Sequence, residues 1–342
     1  MKSGRTPVRR LYSIDIGTAI GLRDCALIGL MIYTFAQIGA ATAMRVEDVS
    51  LKNRRLSYNQ RHLRTGLPPE RQMIIYKYMD AITLNLVLDS FRIAFAHPSD
   101  FNDPFDRPRV SRRPYTLEYH SLFTGELMTR EAQAAEADEA WNKCAVSSFT
   151  RTHDNALMWA HYADKHKGAV IEIDAREAGL TSTELLIPVQ FGSVIYMKRQ
   201  NPEESLARGF DALRSQAVTG GENRFEIRNY EGLQRLFLTK PMPWSYEEEV
   251  RAVCSQFLYR WDDQDESFEG QWKRIVKADG NPIYGLRIPS RSITRIFAGL
   301  RYENLGMLRE RCTREGIRLM LPINEPSNGY EMDFEPDPYS DR

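Results

Sequence analysis

From Met73 onward the chain alternates between two hydrophobic periods. MIIYKYM (73–79) and FRIAFA (91–96) place apolar residues at every second position, as half-buried strands do. Between them, DAITLNLVLDS predicts a short helix with Asp80 as its N-cap. SDFNDPFDRP reads as a turn cluster, TREAQAAEADEAWNKC as a helix and KCAVSSF as a strand. Asp154 is then expected to cap a helix through NALMWAHYAD, and Gly168 to open the strand GAVIEID. Helical stretches are expected over 203–216 and 223–238. The alternation in WSYEEEVRAVCSQF predicts a strand, and RSITRIFAGL, a helix over 303–315 and the strand IRLMLPI follow. Strands and helices are interspersed without a regular βαβ rhythm. The fold class is therefore α+β, a mixed or antiparallel sheet flanked by helices, with no internal repeat and no Gly-rich phosphate loop in the sequence.

The texture changes between Arg55 and Gln72, dividing the chain into a leader (1–71), a main domain (72–323) and an acidic, Pro-rich flexible tail (324–342). The leader contains the uncharged run Cys25–Met44. Gln37, Thr34, Thr42 and two glycines in it fit a buried helical pair better than a membrane span, so no membrane partner is expected. Charge is also uneven: the leader carries twelve Lys/Arg against five Asp/Glu, leaving +7 there and −7 on the remainder. A basic leader could neutralise phosphates, although any small Arg-rich fragment looks alike. Cys25, Cys144, Cys254 and Cys312 have neither metal nor redox spacing and read as thiols of a reducing, cytoplasmic compartment.

Residues 7–56 resemble the start of a tyrosine recombinase (phage integrase) catalytic domain, all-helical at first. The likeness runs through Gly21–Arg23–Asp24, Tyr33–Ala40 and Met44–Val49. Where that family places its first catalytic arginine this chain has Gln37, which cannot supply charge to a pentacovalent phosphate. The lysine, the His-x-x-Arg pair and the tyrosine nucleophile do not follow. The resemblance thus implies a remnant of DNA integration and recombination, with residual DNA binding as the role left to it.

Three clusters in the main domain invite chemistry. On a strand, Glu247, Glu249 and Arg251 would share one face, opposite Val250, Ala252 and Cys254, with Trp244 and Tyr246 leading in. They read either as a cleft with a catalytic carboxylate and an anion-binding arginine or as a surface Glu–Arg ladder. MWAHYADKHKG offers Trp159, His161, Tyr162 and His166. The 161/166 spacing does not suit zinc and no metal is expected, whereas the turn at His166, Lys167 and Gly168 could hold a phosphate. Asn102 and Asp103 satisfy turn amides or line the rim of the same cleft.

Together, YKY (76–78), FNDPFD (101–106), MWAHY…HKG (158–168) and Lys240…W-x-Y-E-x-E-x-R (240–251) resemble an uncharacterised bacterial family over residues 73–322. That family is a domain of unknown function, often found near mobile elements and phage-defence genes. The order Y…Y…E is similar in plan to ADP-ribosyltransferases, which consume NAD. The likeness would make Tyr76 or Tyr78 the early-strand residue, Trp159 or Tyr162 the stacking element, Glu249 the acid and Glu247 its neighbour. The alternative is a non-catalytic module that recognises a nucleotide or nucleic acid. Protein partners are not legible.

Overall fold

The computed structural model describes residues 49–50, 55–56, 72–103, 106, 144–198, 225–255, 271–275, 281–323 and 332–339. Two compact units divide the chain, Met1–Arg71 and Gln72–Arg342. In the first, β1 (Val49–Ser50) pairs antiparallel with β2 (Arg55–Leu56). The recombinase-like helices, Gln37 and the uncharged run 25–44 lie outside the described residues. Among the described residues no helix is long and apolar enough to cross a membrane.

The second unit is α+β. Its order begins with β3 (Ile74–Met79), α1 (Ala81–Ser90), β4 (Arg92–Phe95), β5 (Cys144–Thr150), α2 (Ala156–Tyr162) and β6 (Ala169–Asp174). It continues with β7 (Ile195–Met197), α3 (Tyr230–Phe237), β8 (Thr239–Pro241), β9 (Glu249–Ser255), β10 (Trp272–Ile275) and β11 (Ile283–Arg287). β12 (Ile293–Ala298), α4 (Leu305–Glu315), β13 (Arg318–Pro322) and β14 (Phe334–Pro336) close it. Among the described residues a seven-stranded sheet runs β14-β13-β12-β6-β3-β5-β9, with β12 and β13 parallel and the other neighbours antiparallel. A three-stranded sheet (β10-β11-β4) and a parallel pair (β7-β8) flank it.

Period-two alternation sends side chains of the large sheet into two differently filled layers. One face is largely apolar: Ile75, Ala145, Phe149, Ile171, Ile173, Val250, Ala252 and Ile296 pack against Leu84 and Leu88 of α1, Leu308 of α4 and Phe95 of β4. Lys77 and Ser147 are polar exceptions on it, hydrogen-bonded to each other at 3.3 Å. The other face carries two separate apolar clusters. Val146 and Val253 meet Leu233, Leu236 and Phe237 of α3 at one end, and Tyr78, Val170, Phe297 and Met320 meet Met158 and Trp159 of α2 further along. Polar residues of this second face occupy the remainder.

Several local expectations change. The α2 N-cap is Asn155, whose side chain accepts from the amides of Leu157 and Met158; Asp154 instead accepts from the Thr152 hydroxyl. The strand predicted through Trp244 starts only at Glu249. Residues 242–247 form a 3-10 turn that Pro241 and Pro243 favour, and Glu248 reverses the chain in the left-handed region at φ 44°. Within 223–238 the α-helix covers only Tyr230–Phe237, behind a 3-10 turn at 227–229. The helices expected over 129–144 and 203–216 lie outside the described residues. The tail expected to be flexible contributes β14, which adds to the edge of β13 through Pro322↔Phe334 and Met320↔Pro336.

Candidate functional site

Cross-strand register lines up one polar residue per strand on the second sheet face. Arg318 of β13 pairs with Arg295 of β12, Arg295 with Glu172 of β6, and Glu172 with Tyr76 of β3. Tyr76 then pairs with Thr150 of β5, and Thr150 with Glu249 of β9. Directly paired residues face the same side, so this is a row across six strands, with one carboxylate at its β9 end and the other three strands away on β6. At the ordinary interstrand spacing, Tyr76 and Glu249 are about 10 Å apart at Cα.

At the β9 end the row runs into a closed ionic network. Arg251 Nε and Nη2 grip Glu249 at 2.8 and 3.0 Å, Lys240 Nζ reaches the same carboxylate at 3.1 Å, and the Ser148 side chain bonds it too. Four donors fill the roughly four acceptor positions of a carboxylate. Arg251 also donates to the Phe237 carbonyl at 2.7 Å and to Asp106 Oδ2 at 2.6 Å, and its guanidinium lies 5.1 Å from the Phe101 ring. Burial alone would raise the Glu249 carboxyl; Arg251 and Lys240 outweigh it and hold it at about 2. With Arg251 1% and Glu249 5% exposed, the surface-ladder alternative is excluded: these charges are core.

Glu247 differs from its neighbour. It is 3% exposed but, among the described residues, accepts only from Lys240 Nζ at 2.6 Å and the Tyr162 hydroxyl at 2.5 Å, and burial pushes its carboxyl above the usual range despite Lys240. Tyr162 in turn accepts from Asn102 Nδ2 at 3.3 Å, which carries the chain of contacts to the surface. Lys240 sits 5.0 Å from the Trp244 ring, and Tyr246 and exposed His161 lie at the rim, 6.4 Å apart. Asp103 is buried, and its carbonyl accepts the Asp106 amide at 3.1 Å. One oxygen of Asp106 is buried without a hydrogen-bond partner, and burial, outweighing Arg251, raises that carboxyl.

Toward the other end, Tyr76 belongs to a different neighbourhood. Its hydroxyl donates to Glu172 Oε2 at 3.2 Å and its ring stacks on His153 at 5.0 Å. Burial and then Glu172 raise the phenol to about 12. Thr294 donates to Glu172 Oε1 at 2.6 Å, and Arg295 approaches Oε2 at 3.5 Å with 43% of its side chain exposed. Tyr76, Glu172, Thr294 and Arg295, with Gln72, Thr313 and Arg318, line an open cavity of about 600 Å³ between the sheet and the C-terminal end of α4. Tyr78, by contrast, is packed edge-on against Trp159 in the core. The single cleft expected to join Tyr76 to Glu249 is therefore two sites.

The turn after α2 does not offer a phosphate cradle. The amides of His166, Lys167 and Gly168 are consumed by the carbonyls of Trp159, Asp164 and Ala163 at 3.3, 3.0 and 2.8 Å. Asp164, Lys165 and His166 run through the left-handed region at φ 44°, 55° and 71°. His166 stacks on Trp159 at 6.0 Å. Gly168 is required by packing, since a Cβ there would lie 2.1 Å from the Met79 carbonyl oxygen.

Sequence reasoning singled out Glu247, Glu249, Arg251, Lys240 and Tyr162, which the structure brings together, and missed Glu172, Arg295, Arg318 and Asp106. The available signal was an acid inside the apolar strand GAVIEID, where burial demands a partner. Residues 158–252, which include this ionic network apart from Asp106, match the model of a family described as a protein of unknown function, DUF2971. The match supports an uncharacterised domain in this part of the chain and names no reaction. No curated protein and no solved structure matches the chain. Among the described residues no cluster of His, Cys, Asp or Glu could hold a metal ion.

Proposed function

We propose that the second unit is a recognition domain that binds a nucleotide-class ligand in the cavity beside Tyr76. The observation that carries this reading is the composition of that cavity. Two guanidinium groups face one carboxylate, a phenol and two threonine side chains in a space of about 600 Å³, within the ordinary range for small-molecule sites. Arg318 and Arg295 suit a phosphate, and Glu172 suits sugar hydroxyls. Adding ADP-ribose should raise the melting temperature of the wild-type protein, because a ligand that binds only the folded state stabilises it. Arg318→Ala should abolish that rise while leaving the unliganded melting temperature unchanged. No rise with ADP-ribose, AMP or NAD sinks the reading, and binding of oligonucleotides alone favours nucleic acid instead.

A second reading, NAD-consuming ADP-ribosyl transfer, draws support from Glu247. It keeps unfilled acceptor capacity and contacts the half-buried Tyr162, whereas saturated Glu249 has no position left for a ribose hydroxyl. The acid in such a reaction would then be Glu247. NAD turnover in the wild type that Glu247→Gln removes would favour this reading over pure recognition.

A further inference from the structure

Strand β12 departs from regular pairing with β6 at one place, and the residues there line the cavity. Ile293 pairs with Ile173 and Arg295 with Glu172, so two residue steps on β12 answer one step on β6. Thr294 is the extra residue of a β-bulge. In an unbroken strand Thr294 would point with Ile296 into the apolar layer, away from Arg295. The bulge turns it instead, and its hydroxyl donates to Glu172 Oε1 at 2.6 Å. Tyr76, directly across from Glu172 on β3, donates to the other oxygen, Oε2, at 3.2 Å. Arg295 approaches Oε2 only as an ion pair, at 3.5 Å. A carboxylate offers roughly two acceptor positions on each oxygen. Among the described residues, Glu172 therefore has one position taken by a neutral hydroxyl and one open on each oxygen. The two donors also fix the rotation of the carboxylate, and all three side chains line the cavity. A carboxylate held in this way matches two adjacent hydroxyls, each donating to its own oxygen. A lone hydroxyl would leave an acceptor unpaired on a side chain that is only 5% exposed.

We propose that the bulge at Thr294 makes Glu172 a reader of vicinal diols, so that the cavity takes ribose-bearing ligands and rejects their 2′-deoxy counterparts. Glu172 contacts the diol, while Thr294 and Tyr76 are positioning residues that hold its two oxygens. This rests on the nucleotide reading for the rest of the ligand, but the diol itself requires only a ribose phosphate.

Calorimetric titration of the full chain with two matched pairs tests the proposal: AMP against 2′-deoxy-AMP, and ribose 5-phosphate against 2-deoxyribose 5-phosphate. Wild type should bind each ribo compound about thirtyfold more tightly than its deoxy partner, as expected for one hydrogen bond to a charged group. Glu172→Gln, which leaves a single acceptor oxygen, should reduce that ratio below about threefold. Thr294→Val, close in shape but without the donor, should reduce it as well, whereas Thr294→Ser should keep it. Both Thr294 variants should bind pyrophosphate as wild type does, which separates lost orientation from lost folding. Equal affinity for AMP and 2′-deoxy-AMP overturns the diol assignment and leaves the nucleotide reading standing. Discrimination within the ribose 5-phosphate pair without AMP binding supports the diol and overturns the nucleotide reading. Binding of none of these compounds overturns both, and an undiminished ratio in Thr294→Val overturns the role of the bulge.

Discussion

The two carboxylates of the polar row, Glu249 and Glu172, each face an arginine and a hydroxyl and are each 5% exposed, yet their arginines sit in opposite environments. Glu249 is enclosed with Arg251, whose side chain is 1% exposed, and every acceptor position on it is used. Glu172 meets an Arg295 that is 43% exposed, at 3.5 Å, on the wall of an open cavity. The residue types are the same, and the pairs differ in what covers them and in how closely they approach. The Glu249 end is sealed by α3, Phe101 and the 242–247 turn, and an ion pair sealed in this way serves the fold. An ion pair with one partner in solvent can exchange that partner for a ligand. The comparison separates structural from functional charge within one sheet face.

The largest effect is expected at the sealed end. Arg251→Met leaves Glu249 and Asp106 buried without their main partner and should destabilise the protein by about 3–5 kcal/mol in urea unfolding. A loss below about 1 kcal/mol would mean that the site is wetter than described. Glu172→Gln should cost only about 1 kcal/mol, because Tyr76 and Thr294 retain a hydrogen-bonding partner there. Its consequence should appear in ligand binding instead. A stability loss equal to that of Arg251→Met would erase the distinction between the ends.

A smaller and graded effect is expected from pH. The Glu249 carboxyl is held at about 2 in the folded protein, below its ordinary value of 4.5, because Arg251 and Lys240 overcome the cost of burial. The stability it contributes is therefore fully present above pH 4.5 and is lost as the pH falls through 2. Glu247 and Asp106, both raised chiefly by burial, act in the opposite sense: their contribution is present at low pH and is lost as pH rises through their folded values. Urea midpoints from pH 5 to 2 should fall in wild type and fall less in Glu249→Gln, if that variant folds.

Much of this fold is legible in the alternation of Ile75, Met79, Ile171 and Ile173, and in Asp80 as a cap, because those signals are local. The ionic network was half legible. Its β9 members announced themselves, but alternation carried the strand too far back, past Pro243 and the reversal at Glu248, and so placed Glu247 on the same ladder as Glu249. The cavity was not legible. Arg318, Arg295, Glu172 and Tyr76 come from four strands, and only the register of the sheet brings them into line. The docking of Phe334 and Asp337 escaped notice for the same reason: an acidic, Pro-rich composition says nothing about two anchors whose sockets, Trp159 and Arg309, lie far away in sequence.

The location of a bound ligand tests the central claim most directly. A crystal structure of the full chain with ADP-ribose should show the phosphates against Arg318 and Arg295 and a ribose near Glu172 and Tyr76, with the Glu249–Arg251 pair undisturbed. Ligand density against Glu247 or Glu249, with the Tyr76 cavity empty, would contradict the assignment of recognition to the open end of the row.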